Sequence, residues 1–252
     1  MTTTSSQAAA VDTAAIEHFA AKLRFETDPS DVAAAIAAGE TFAFVGPTGS
    51  GKSTIIGLLL RFYDPDSGTV SVDGIDVRDV KPESLRRRVG VVLQDVFLFA
   101  GSLRENLGLD DPTLDDDRLL SALKSVGAER VAERIGGLDG VLKERGAGLS
   151  TGEKQLLAFA RTLAHDPAVL VLDEATANID TESERVIQNA LDRLMEGRTT
   201  LVVAHRLSTI RKAHRILVVH HGEIREQGSH AELLAKDGVY ARLHRLQFAG
   251  GA

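Results

Sequence analysis

One octapeptide constrains this chain more than any other feature. Gly46-Pro47-Thr48-Gly49-Ser50-Gly51-Lys52-Ser53 follows the apolar run Thr41–Val45 and precedes the helical pattern Thr54–Arg61. The spacing G-x-x-x-x-G-K-S between a strand and a helix suits a chain whose backbone must wrap an anion. The glycines let successive N–H groups turn inward at a helix N-terminus. Lys52 would reach the β- and γ-phosphates, and the Ser53 hydroxyl would ligate Mg²⁺. The bland alternative is a Gly-rich turn with a solvated lysine. At average residue frequencies the pattern arises at about one start position in thirty thousand, and strand and helix both flank it here. The implication is nucleotide binding.

The rest of the sequence repeats the strand-then-helix theme. Apolar runs at Val89–Leu93, Ala168–Leu172, Thr199–Val203 and Ile216–His220 join Thr41–Val45 as expected strands of an α/β domain with a largely parallel sheet. Val219 to Glu226, turning at His221-Gly222, reads as a hairpin. Thr181 with Glu184, and Ser229 with Glu232, read as capping boxes at helix starts. From about Asp95 to His165 the strand signal disappears. Helical patterns at Asp116–Val126, Glu129–Ile135 and Thr151–Leu163 there suggest an all-helical insertion, with a Gly-rich connection over Gly136–Gly148.

Composition narrows the classes further. The chain has 252 residues, 43% hydrophobic and 26% charged, enough for a core without disulfides. Its net charge of −7 runs against wrapping a nucleic-acid backbone, and the absence of cysteine excludes thiolate metal sites and cysteine nucleophiles. Arg86-Arg87-Arg88 reads as a solvated helix face. No apolar run approaches the roughly 18 residues that span a bilayer. Residues 1–21 read as a leader with no assigned role, and residues 22–252 as the domain.

Other residues acquire meaning only in combination. Val169-Leu170-Val171-Leu172 ends in Asp173-Glu174, and adjacent acids at a strand end are ordinary where a strand meets solvent. After a phosphate cradle, Asp173 could face Mg²⁺ and Glu174 could polarise a water as general base. Ser150 and Glu153, taken alone, form one more capping box, His205 has a structural reading, and Asp180 reads as a helix cap.

Together these segments resemble the nucleotide-binding domain of ABC transporters of the exporter type. The resemblance covers about Gly39 to Leu246. Leu149-Ser150-Thr151-Gly152-Glu153 is similar to the family signature, with Glu144-Arg145-Gly146 before it. Asp173-Glu174-Ala175-Thr176 and Ala177-Asn178-Ile179-Asp180 are similar to the Walker B and D-loop segments. Val92-Leu93-Gln94-Asp95 resembles the Q-loop, and Ala204-His205-Arg206-Leu207-Ser208 the switch-histidine segment.

The resemblance implies a P-loop NTPase fold: a RecA-like core with a mostly parallel sheet, an N-terminal antiparallel β portion, and a helical subdomain inserted over about 95–165. It implies ATP and Mg²⁺ as cofactors, with Gly46, Pro47, Thr48, Gly49, Ser50, Gly51, Lys52, Ser53 and Thr54 around the phosphates. Ser53, Gln94 and Asp173 would attend the metal. Glu174 would be the base, His205 would hold the γ-phosphate, and Gln94 would sense occupancy. Two domains would pair head to tail, so that Ser150 and Gly152 meet the partner's γ-phosphate, and Asp180 would be a further nucleotide-binding residue. The implied activity is ATP hydrolysis driving export of an unknown substrate at the cytoplasmic face of the cell membrane, through a transmembrane domain or subunit.

Three departures qualify the resemblance. Glu153 stands where the signature usually has Gln, adding negative charge near a phosphate site. Thr27 occupies the expected adenine-stacking position, with Phe25 the nearest aromatic, and the Ala-rich Val32–Ala38 replaces an apolar strand. The membrane helices that exporters usually carry on the same chain are missing from this sequence. The alternative reading is an ATP-responsive dimerising module with a degenerate site, half of a heterodimer with little turnover. Soluble relatives acting on DNA or the ribosome would need a long coiled coil or a second cassette, and the sequence has neither.

Overall fold

The computed structural model describes residues 23–26, 34–36, 38–93, 95–173, 181–203 and 207–248. Its centre is a six-stranded sheet. β3 (Thr41–Val45), β6 (Val89–Val92), β9 (Val169–Asp173), β10 (Thr199–Val203) and β11 (Arg215–His220) are its parallel strands. β12 (Glu223–Gly228) pairs antiparallel with β11 at one edge, and the order is β12-β11-β3-β10-β9-β6. Four of the parallel strands are buried on both faces, which is why they read as unbroken apolar runs. Phe42, Phe44, Val169, Val171, Leu201 and Val203 point into one core layer, and Ala43, Val45, Leu170, Leu172 and Val202 into the other.

The first layer holds α1 (Lys52–Leu59), α2 (Pro82–Arg88) and a second, antiparallel sheet. That sheet joins β1 (Leu23–Glu26), β2 (Ala34–Ile36), β4 (Thr69–Val72) and β5 (Ile75–Asp76) in the order β2-β1-β4-β5. The Ala-rich stretch therefore does contribute a strand: Ala34–Ile36 pairs with Leu23–Phe25. Alanine has little strand preference of its own, so the pairing comes from the neighbouring strand.

The second layer holds the helical region: α3 (Leu103–Gly108), α4 (Asp116–Ser125), α5 (Glu129–Ile135) and α6 (Thr151–His165). It also receives α7 (Thr181–Met195), α8 (Leu207–Lys212), α9 (His230–Ala235) and α10 (Val239–Phe248). The expectation of an all-helical insertion needs correction. β7 (Gly101–Ser102) and β8 (Val141–Leu142) form a two-residue antiparallel ladder within it, too short to leave a period-2 pattern. α3 was also unforeseen, although it opens with a full capping box between Ser102 and Glu105. The box at Ser229–Glu232 forms as read. Thr181 is already helical, and the cap before it falls outside the described residues.

α6 is central to the second layer, packing on α3, α4 and α7 and on β6. Arg161 on α6 donates to the carbonyls of Asn106 and Phe97 at 2.7 and 3.1 Å. Buried Asn106 in turn bonds Phe99 N–H and the carbonyls of Phe99 and Ser102. The chain leaving β6 is thus fastened to α6 by fully paired polar groups.

Candidate functional site: a phosphate cradle and a capped helix

The loop Gly46–Gly51 leaves β3 at the carboxyl end of the parallel strands, where open α/β sheets bind ligands. Gly49 and Gly51 have φ of +77° and +106°, a left-handed backbone open to glycine at little cost. Gly46 meets a different demand. A Cβ there would lie 2.1 Å from the carbonyl oxygen of Val219 on β11, so only glycine lets the loop pass. The hairpin tip braces the loop as well: Gly222 N–H donates to the Ser50 carbonyl at 2.9 Å. His221 and Gly222 both have positive φ, forming the mirror-image turn that suits two twisted strands.

Lys52 is 7% exposed, and its ammonium donates to the carbonyls of Gly46 and Pro47 at 2.9 Å each and to Ser50 Oγ at 3.3 Å. Oxygens of the loop itself thus help to hold a buried cation at its centre. Pro47, Thr48 and Gly49 line the exposed rim, and Ser53 and Thr54 are exposed on the first turn of α1. These features fit a triphosphate: a turn of N–H groups, a helix N-terminus and one fixed ammonium.

Asp173 ends β9, paired in register with Val203 at the end of β10, which separates β9 from β3. Ser53 and Asp173 offer a hydroxyl and a carboxylate, hard oxygen donors suited to Mg²⁺ that keeps phosphate and water as its other ligands. Among the described residues no cluster of three His, Cys, Asp or Glu could hold a metal by itself. Glu174 and His205 follow β9 and β10 in sequence. They, Gln94, Asp180 and Thr27 lie outside the described residues, as does the side chain of Phe25.

Ser150 caps α6 as the sequence suggests. Its Oγ accepts the Glu153 N–H at 3.2 Å, and Glu153 Oε2 accepts the Ser150 N–H at 2.8 Å. Gly152 is buried in the first turn. The other oxygen of Glu153 binds the guanidinium of Arg134, in the last turn of α5. Burial works against ionisation of Glu153, but the Ser150 N–H and Arg134 outweigh it and hold the carboxyl below the usual glutamate range. Sequence reading missed Arg134 and the brace from Gly222. Neither leaves a local signal, since 19 residues separate Arg134 from Glu153.

The fold and the loop define a P-loop nucleotide-binding domain. A family model described as "ABC transporter" matches residues 30–177. The chain belongs to the ABC transporter family, whose ATP-binding domains are ATPases coupled to transport. It is 51% identical over 210 residues to a probable multidrug resistance ABC transporter ATP-binding/permease protein of Bacillus subtilis, covering 83% of this chain and 31% of that protein. An ATP-dependent lipid A-core flippase of Vibrio vulnificus is 49% identical over 224 residues, 88% of this chain and 38% of that protein. The solved structure of a bacterial Atm1-family ABC exporter with ATP bound superposes with a TM-score of 0.81 at 39% identity, covering 92% of this chain and 42% of the other. The chain thus matches the ATP-binding part of exporters and spans about a third of the length of these curated relatives. Among the described residues no helix is long and apolar enough to cross a membrane.

Proposed function

We propose that this domain binds Mg²⁺-ATP in the Gly46–Thr54 cradle and hydrolyses it within a head-to-tail dimer, powering export through a transmembrane domain or subunit at the cytoplasmic face of a membrane. The observation that carries the reading is Lys52, buried and clamped at the centre of a loop that passes β11 only because residue 46 is glycine.

Support for a composite site comes from the two core layers. α1, which follows the cradle, packs on one face of the parallel sheet, and α6, which begins at the signature, packs on the other. A cradle facing the signature of a second copy resolves that separation. The Glu153 N–H is taken by the Ser150 cap, while the N–H groups of Thr151 and Gly152 have no acceptor within their own helix and suit an incoming γ-phosphate.

The residues divide the work by chemistry. Backbone N–H groups of 46–51 and the Lys52 ammonium bind the β- and γ-phosphates, and Ser53 and Asp173 hold Mg²⁺ together with Gln94. The metal neutralises phosphate charge when bound. Glu174 takes a proton from the attacking water, and His205 holds the γ-phosphate and orients Glu174. Ser150, Gly152 and Asp180 close the partner's site. The transported substrate is selected in the transmembrane part.

The test uses Glu174→Gln, which retains binding and blocks turnover. Light scattering should show a dimer that forms only with Mg²⁺-ATP and dissolves with ADP. A chain that binds ATP tightly and stays monomeric at all protein concentrations would overturn the head-to-tail reading.

A further inference from the structure

The signature helix carries a carboxylate at a point where charge matters most. An ionised side chain at residue 153 suits the α6 dipole but opposes a triphosphate arriving at the same helix end. The structure commits both of its oxygens. Oε2 takes the Ser150 N–H, and Oε1 takes the Arg134 guanidinium across from α5. Ser150 Oγ is engaged as an acceptor from Glu153 N–H, so its own proton remains to be donated elsewhere.

The pair contributes little to stability. The side chains of Arg134 and Glu153 are 53% and 26% exposed, a setting in which ion pairs contribute little to folding. Its effect is on the charge presented by the helix end: a carboxylate alone contributes −1, and the pair contributes nothing net. Arg134 also fixes the carboxylate in its capping rotamer, and with it the Ser150 hydroxyl.

Building on the head-to-tail reading above, we infer that Arg134 is a positioning residue for the composite ATP site: it locks the Ser150–Glu153 box and cancels the charge that would repel the partner's γ-phosphate. The signature is thereby a working one, and its glutamate is not a mark of degeneracy. A glutamine at 153 would cap the helix through its amide oxygen, in place of the carboxylate oxygen, without needing the arginine.

The experiment measures the Mg²⁺-ATP-dependent dimer in the Glu174→Gln background by sedimentation, with ATP affinity of the dilute monomer measured alongside. Arg134→Ala weakens the dimer about tenfold, while ATP affinity of the monomer stays as in the reference. Arg134→Lys retains most of the dimerisation. Arg134→Ala combined with Glu153→Gln returns to within about twofold of the reference, because no charge is left to cancel. An Arg134→Ala chain that dimerises like the reference overturns the inference. A double variant as weak as Arg134→Ala overturns it too, since a merely structural role would not be rescued by removing charge. If the reference itself forms no ATP-dependent dimer, the proposed function fails and this inference falls with it. A sound reference dimer indifferent to Arg134 removes the inference alone.

Discussion

Gly46→Ala isolates the contact between the cradle and the β11–β12 hairpin. The added methyl would lie 2.1 Å from the Val219 carbonyl oxygen and 2.9 Å from Ser50 Oγ. Carbon and oxygen sit comfortably at about 3.3 Å, so the β11 backbone must retreat by roughly 1 Å. That strand is hydrogen-bonded to β3 on one side and β12 on the other, and Val219 is buried, so the displacement cannot be absorbed by a rotamer change. Overpacking of this kind costs about 1–3 kcal/mol, and a domain of this size loses about 2–4 °C per kcal/mol, giving a Tm lower by roughly 2–12 °C. The same shift loosens the Gly222–Ser50 bond that braces the cradle, so ATP affinity falls about tenfold or more. Gly49→Ala is the comparison: it meets nothing within 4 Å and is penalised only by its φ of +77°. Thermal melting and ATP calorimetry on both variants read the result. A Gly46→Ala chain with unchanged Tm and ATP affinity would refute the packing argument.

Lys52→Ala removes the ammonium from the cradle, and ATP affinity should fall about 10–100-fold by calorimetry; equal affinity would exclude a phosphate role for Lys52. Tyr240 is 1% exposed, with its hydroxyl 2.7 Å from His230 Nδ1, and burial pushes its pKa from 10.0 up to about 12. The folded state favours the neutral phenol, so its contribution is complete below pH 10 and is lost as pH rises through 12. Denaturant unfolding across that window should show a flatter alkaline limb in Tyr240→Phe, and an equally steep limb would contradict the assignment. Glu174→Gln should preserve ATP binding while lowering turnover by about 10²–10⁴; an unchanged rate would move the base elsewhere.

Much of this fold was legible because its signals are local. Thr41–Val45 and Thr199–Val203 were readable to the residue, since strands buried on both faces are apolar throughout. The octapeptide fixed the cradle, and two of the capping boxes announced helix starts through residues three apart. What escaped was set by tertiary contact. Ala34–Ile36 is a strand only because Leu23–Phe25 lies beside it, and β7 and β8 are two residues each. α3, at six residues, is too short for helical periodicity to register. In the site, Gly222 braces Ser50 from far along the chain, and Arg134 reaches Glu153 from another helix. The sequence raised the question that Glu153 poses; the answer lay in its neighbour.

The central claim is a composite ATPase, and the direct measurement is Mg²⁺-dependent phosphate release across a range of protein concentrations, with Glu174→Gln as the blank. The account predicts release that depends on Glu174 and rises faster than linearly with protein, because two copies must meet to complete each site. Release strictly proportional to protein concentration in a chain that stays monomeric, or release that survives Glu174→Gln, would contradict it.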